Sequence, residues 1–145
     1  MKTLLTFIFS VALLHCSAQK QLLTYKDLQY IIQNNTATVT TFLQQKDYHL
    51  QTAANGEIHF FGLYADNDYT GIDIKQKGKR TNIVLSTTHI PQIAGIQQEL
   101  QNFTFKNSKG GKLYRIKDSV ISNLFLKEDE ARPNTNKICT IEVEN

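Results

Sequence analysis

Three histidines, one acid-rich hexapeptide and a run of cations are where side-chain chemistry would first be sought beyond the N-terminal apolar segment. His49, His59 and His89 are too far apart in sequence for the i, i+4 helical or short-loop spacing of a zinc site. His49 and His59 are expected to face each other across the Asn55-Gly56 turn, as a surface pair rather than as metal ligands. Asp66-Asn67-Asp68-Tyr69-Thr70-Gly71 imitates the opening of a calcium loop, with oxygen donors at positions 1, 3 and 5 and glycine at 6. Asp73 then stands where an apolar residue is required, and Lys77 where the bidentate glutamate belongs. A polar hairpin turn is the better reading. The chain has no Gly-x-Ser-x-Gly elbow and no glycine loop opening a helix to cradle phosphate. These patterns assign no catalytic residue, no metal and no cofactor.

Aromatic residues offer a different chemistry, that of a docking surface. In a strand from Ile58 to Tyr64, alternation sends Ile58 and Phe60 one way and His59, Phe61 and Leu63 the other. If helices cover only the first face, Phe61 and Leu63, joined by Tyr114 and Phe125 from later strands, form an exposed apolar patch. The competing expectation is that both faces are packed in a core. Lys75, Lys77, Lys79 and Arg80 gather at one hairpin tip and read first as a solvated turn, with an acidic partner or a polyanionic envelope surface as the alternative.

The elements that must position these residues follow from periodicity. Thr24 to Lys46 carries Leu28, Ile31, Ile32, Val39, Phe42 and Leu43 at helical spacing, and Thr24 with Asp27 makes a capping box. Asn34-Asn35-Thr36 lowers helix propensity in the middle, so a kink into two helices is admissible. The period then falls to two, through Tyr48–Gln51, Ile58–Tyr64, Gly71–Lys75 and Thr81–Thr87, with turns between. A second helix is expected from Pro91 to Gln101. Strands are expected at Phe103–Phe105, Leu113–Ile116, Val120–Lys127 and Ile138–Val143, with Glu128 to Asn136 as a polar loop. The fold class is therefore α+β: an antiparallel sheet of six to eight strands with two helices on one face.

The halves 24–88 and 89–145 also look alike. Tyr48-His49-Leu50 matches Phe103-Thr104-Phe105, and Gly56–His59 matches Gly111–Tyr114, both at an offset of 55. Ile72–Lys75 matches Leu124–Lys127 at 52, and Val39 and Leu43 match Ile96 and Leu100 at 57. The expectation is a tandem helix–meander repeat whose two sheets join edge to edge. In architecture alone, this resembles secreted proteinaceous inhibitors of the β-lactamase-inhibitor-protein type. No residue motif carries that likeness, and no residue role follows from it.

The N-terminus reads as an export signal over residues 1–18. Lys2 precedes an apolar run from Leu4 to Leu14, too short to span a bilayer, and Cys16-Ser17-Ala18 supplies a small-residue cleavage site. Cleavage after Ala18 is favoured over lipid attachment at Cys16, because His15 is bulky for the position before a lipidated cysteine. Of 145 residues, 127 then remain as a single domain, 19–145, with 15 basic and 13 acidic side chains for a charge of +2. So small a charge argues against nucleic acid as a partner. Cys139 is left alone, so no internal disulfide forms and a β-like run buries it. The expected product is a periplasmic or secreted, non-catalytic module with no stable membrane span. It would recognise a protein or envelope component through its open sheet face, in an inhibitory, immunity or assembly role. A ligand-binding protein or hydrolase with a pocket between sheet and helices is the alternative.

Overall fold

A computed structural model describes residues 21–116, 118, 120–128 and 137–145. The expected export signal, Cys16 and nearly all of the expected 128–136 loop lie outside the described residues.

The first helical stretch is two helices. Helix α1 (Tyr25–Gln33) opens on the capping box: Asp27 N donates to Thr24 Oγ1 at 3.2 Å, and Thr24 N donates to Asp27 Oδ2 at 2.8 Å. Asn34 then turns extended, and Asn35 caps α2 (Thr36–Gln45) by accepting from Thr38 N at 3.1 Å. The break falls where the sequence supplies a better N-cap than a helix interior, since an asparagine oxygen competes for backbone donors.

Eight strands follow: β1 (His49–Ala54), β2 (Glu57–Leu63), β3 (Tyr69–Lys77), β4 (Arg80–Thr87), β5 (Phe105–Ser108), β6 (Gly111–Arg115), β7 (Asn123–Glu128) and β8 (Cys139–Glu144). Helix α3 (Ile90–Glu99), with a 3₁₀ turn at Leu100–Asn102, separates β4 from β5. Asn55 and Gly56 join β1 to β2 with φ of +55° and +77°, the mirror-image turn that suits strand twist. The strands form one antiparallel sheet in the order β1-β2-β3-β4-β8-β7-β6-β5. The fold class is α+β, with three helices rather than two among the described residues.

Register decides the core. Phe60 pairs with Ile72, Ile72 with Leu85, Leu85 with Ile141, and Ile141 with Leu126, one buried residue per strand. A parallel row runs Ile58, Ile74, Ile83, Val143, Leu124 and Tyr114. Both rows belong to one core with Leu28 and Ile31 of α1, Val39 and Leu43 of α2, and Ile93 and Ile96 of α3. Helices α1 and α3 approach β4, and α2 approaches β1. Burial of each such aliphatic side chain is worth about 1.5–3 kcal/mol, so this two-row alternation is the main source of stability.

The β6–β7 connection is tied to α1 by one carboxylate. Asp118 accepts from the Tyr25 hydroxyl, from Gln29 Nε2 at 2.9 Å, and from the Val120 and Ile121 amides at 2.7 and 2.6 Å. Burial pushes the Asp118 carboxyl up, but these four donors outweigh it and hold the group below the usual carboxylate range. Tyr25 moves the other way, raised by burial and by the adjacent Asp118.

Candidate functional site: the open sheet face

The alternate strand positions make a second surface. Pairing places Thr52, His59, Asp73, Val84, Glu142, Phe125, Leu113 and Lys106 in one continuous row across all eight strands. None of these side chains is fully buried. His59, Val84, Phe125 and Leu113 are half-buried, and the acids and Lys106 are exposed. Half-burial of apolar residues between exposed charges marks a face that water reaches and that no element of the described chain covers.

Three shallow depressions run together along this face. One, of about 510 Å³, is lined by Thr52, His59, Asp73 and Val84 among others. It shares Lys75 and Asn82 with a second of about 450 Å³ that reaches Lys77, Arg80 and Asn145. The second shares Asn123 and Glu144 with a third of about 360 Å³, lined by Leu113, Phe125 and Glu142. The result is a trough from β1 to β5, across the whole sheet.

The four residues expected to form the patch are not brought together. Phe61 and Leu63 sit on the open face at one corner, Phe61 stacked on Tyr69 with centroids 5.7 Å apart and Leu63 59 % exposed. Phe125 is on the same face but four strand spacings away, about 19 Å. Tyr114 is on the other face, only 5 % exposed, opposite Leu124 and Phe105 in the core layer. Its expected exposure is therefore corrected. The offset of 55 aligned Tyr114 with His59, whereas pairing aligns it with Phe60: Phe60 opposes Ile72 as Tyr114 opposes Leu124. One residue of slip moves a side chain to the opposite face of a strand. Leu113 takes the open-face position instead, and Val84 joins it. The register of β6 against β7 identifies Leu113 and that of β4 against β3 identifies Val84, and alternation alone supplied neither.

The histidines are arranged differently from expectation too. The two-residue turn sets Ala54 opposite Glu57 and therefore Thr52 opposite His59, and past a bulge between Leu50 and Thr52 His49 opposes Phe61. His59 Nδ1 instead hydrogen-bonds Asp73 across to β3, at the centre of the first depression. A carboxylate-oriented imidazole can act as a general base, but among the described residues Asp73 is the only side chain bonded to this ring. His89 stacks flat on Tyr64 at 4.0 Å and meets Asp68 Oδ2 at 3.3 Å. Asp68, from the calcium-like hexapeptide, thus bridges the β2–β3 turn to the start of α3. Beside it, Tyr48 and Tyr64 hydroxyls lie 2.9 Å apart, and Thr70 and Thr87 hydroxyls 2.7 Å apart. Burial raises the Tyr48 hydroxyl well above the usual phenol range and keeps it neutral. Among the described residues no three His, Cys, Asp or Glu side chains converge as a metal site. No described helix is long and apolar enough to cross a membrane.

No protein-family model matches the chain, and no curated protein or solved structure is significantly similar to it. Every functional statement therefore rests on the residues above.

Proposed function

We propose that the chain is an exported, non-catalytic binding module that recognises a protein or envelope component through the trough on its open sheet face. The observation that carries this reading is the row Val84–Glu142–Phe125–Leu113, three apolar side chains and one acid that line two of the three joined depressions. Interfaces typically combine an apolar centre with charged neighbours in this way. Export rests on the 1–18 segment, whose charged start, apolar run and small-residue end fit a cleaved leader. An inhibitory, immunity or assembly role needs no more than such a face.

The reading also includes a tandem origin for the sheet. The last strands of the two halves, β4 and β8, pair at its centre, and strand order runs outward in reverse on each side. Ile72 and Ile74 correspond to Leu124 and Leu126 in burial as in sequence. Each half thus covers one flank of a shared core, and the open face spans both.

The test is recovery of bound proteins from an envelope extract by the mature domain, residues 19–145, compared with Phe125→Asp and Val84→Asp. Both variants change half-buried, open-face side chains and leave the core rows intact. Specific bands lost in both variants, with unchanged circular dichroism, support the face. A band pattern identical to the parent refutes it.

A further inference from the structure

The β3–β4 end of the trough gathers three cations on a hairpin held from both flanks. Lys75, Lys77 and Arg80 all point to the open face by register, and they line one depression with Asn82, Asn123 and Asn145. Lys75 is paired with Glu57, and Glu144 is the only acidic side chain among the described residues of the wall. Lys77 and Arg80 form no ion pair with any described residue.

Two bland explanations fail on the geometry. Lysines often guard exposed sheet edges, but β3 and β4 are interior strands with neighbours on both sides. Cations that serve only solubility need no fixed support, yet this hairpin is pinned from both flanks. On one side Gln76 Nε2 donates to Asn34 O at 3.1 Å, and Thr36 Oγ1 donates to Gln76 Oε1 at 2.8 Å. On the other, Asn145 Oδ1 accepts from Thr81 N at 2.8 Å while its Nδ2 donates to Lys79 O at 3.2 Å. Like charges on a constrained hairpin repel one another, and an opposite charge delivered from outside relieves that cost.

We infer that this end of the trough receives the carboxylates of an acidic segment of a partner protein. The inference rests on the binding reading of the open face and adds its polarity. A protein is favoured over a polyanionic glycan because the cations are continuous, through Asn123, with the apolar Phe125 and Leu113. A peptide segment offers acid and apolar side chains together, and a sulfated or phosphorylated glycan offers only the acid.

The experiment titrates isotope-labelled mature domain with an aspartate–phenylalanine peptide, its asparagine counterpart and heparin. Amide shifts are followed in the parent, in Lys77→Glu/Arg80→Glu and in a Lys26→Glu/Lys109→Glu control. Saturable shifts from Lys75 to Asn82 and at Asn123 are expected with the acidic peptide alone, weakened about tenfold by the first variant and unchanged by the control. Equal weakening in both variants, no shift, or heparin binding more tightly than the peptide overturns the inference. The two readings fail separately. Envelope partners lost on Phe125→Asp but kept by Lys77→Glu/Arg80→Glu sink the acidic partner and leave the face standing. Peptide binding at the hairpin with all partners retained by Phe125→Asp does the reverse.

Discussion

The side-chain amide of Gln92 holds both backbone polar groups of Leu23. Its Oε1 accepts from Leu23 N at 2.8 Å and its Nε2 donates to Leu23 O at 2.7 Å. Both residues are buried, so the amide completes the hydrogen bonding of a backbone segment that has no strand beside it. Gln92→Ala strands both groups of Leu23 away from water and is expected to cost about 2 kcal/mol, or roughly 8 °C in melting temperature. A thermal melt within about 2 °C of the parent would show that the N-terminal segment is not anchored there.

Asp118 predicts how the fold responds to acid. Its carboxyl lies below the usual range in the folded state, so its contribution is present at neutral pH. That contribution is lost as pH falls through the folded value, below about pH 4 where an unfolded aspartate also protonates. Asp118→Asn removes the charge-assisted bonds from Tyr25, Gln29, Val120 and Ile121. The variant is expected to be less stable than the parent at pH 7 and to lose less on acidification. Parallel stability-versus-pH curves from denaturant titration would overturn that assignment.

Two glycines predict opposite outcomes for the same substitution. A Cβ on Gly111 would sit 2.1 Å from Leu126 O and 2.9 Å from Leu126 C, both backbone atoms of the neighbouring strand. Gly111→Ala must push β6 from β7 and is expected to cost about 3 kcal/mol, at the upper end for overpacking. Gly95 lies on the exposed side of α3 with no atom within 4 Å of an added Cβ. Gly95→Ala should gain about 1 kcal/mol from helix propensity alone. Urea unfolding of the pair checks both signs, and destabilisation by Gly95→Ala would mean α3 depends on something other than its own backbone.

Local rules made most of the elements legible. Thr24 and Asp27 announced the first cap, Asn55-Gly56 its hairpin, and alternation from Gly71 to Thr87 two interior strands. What stayed hidden depended on pairing between distant segments. Gln92 reads as one more polar helix residue until Leu23, 69 positions away, is beside it. Asp118 belongs to a connection with no pattern of its own, and only its donors reveal its role. The bulge at Gln51 sets His49 opposite Phe61 rather than Gly62, and a bulge leaves no mark in a sequence of ordinary strand residues. The site suffered most, because the face of a residue is a parity and parity needs register. Phe61 and Leu63 lie on the face that alternation within Ile58–Tyr64 gives them, whereas for Tyr114 the offset of 55 is one residue out.

That parity supplies the sharpest prediction. Leu113 and Tyr114 are adjacent on β6 but face opposite ways, Leu113 toward Phe125 and Lys106 and Tyr114 toward Leu124 and Phe105. Tyr114→Asp puts a carboxylate into the core layer, where burial of an unpaired charge costs several kcal/mol, and the domain should lose its cooperative melt. Leu113→Asp places the same charge on a half-buried, water-accessible position beside Arg115, and melting should change by about 1 kcal/mol or less. If the trough is the docking surface, the folded Leu113→Asp domain also loses its envelope partners, since a desolvated carboxylate then sits beside Phe125 where the partner packs. The pair separates stability from binding with one substitution type at neighbouring positions. A folded Tyr114→Asp or an unfolded Leu113→Asp would reverse the face assignment of β6, and a folded Leu113→Asp that keeps every partner would remove the third depression from the binding site.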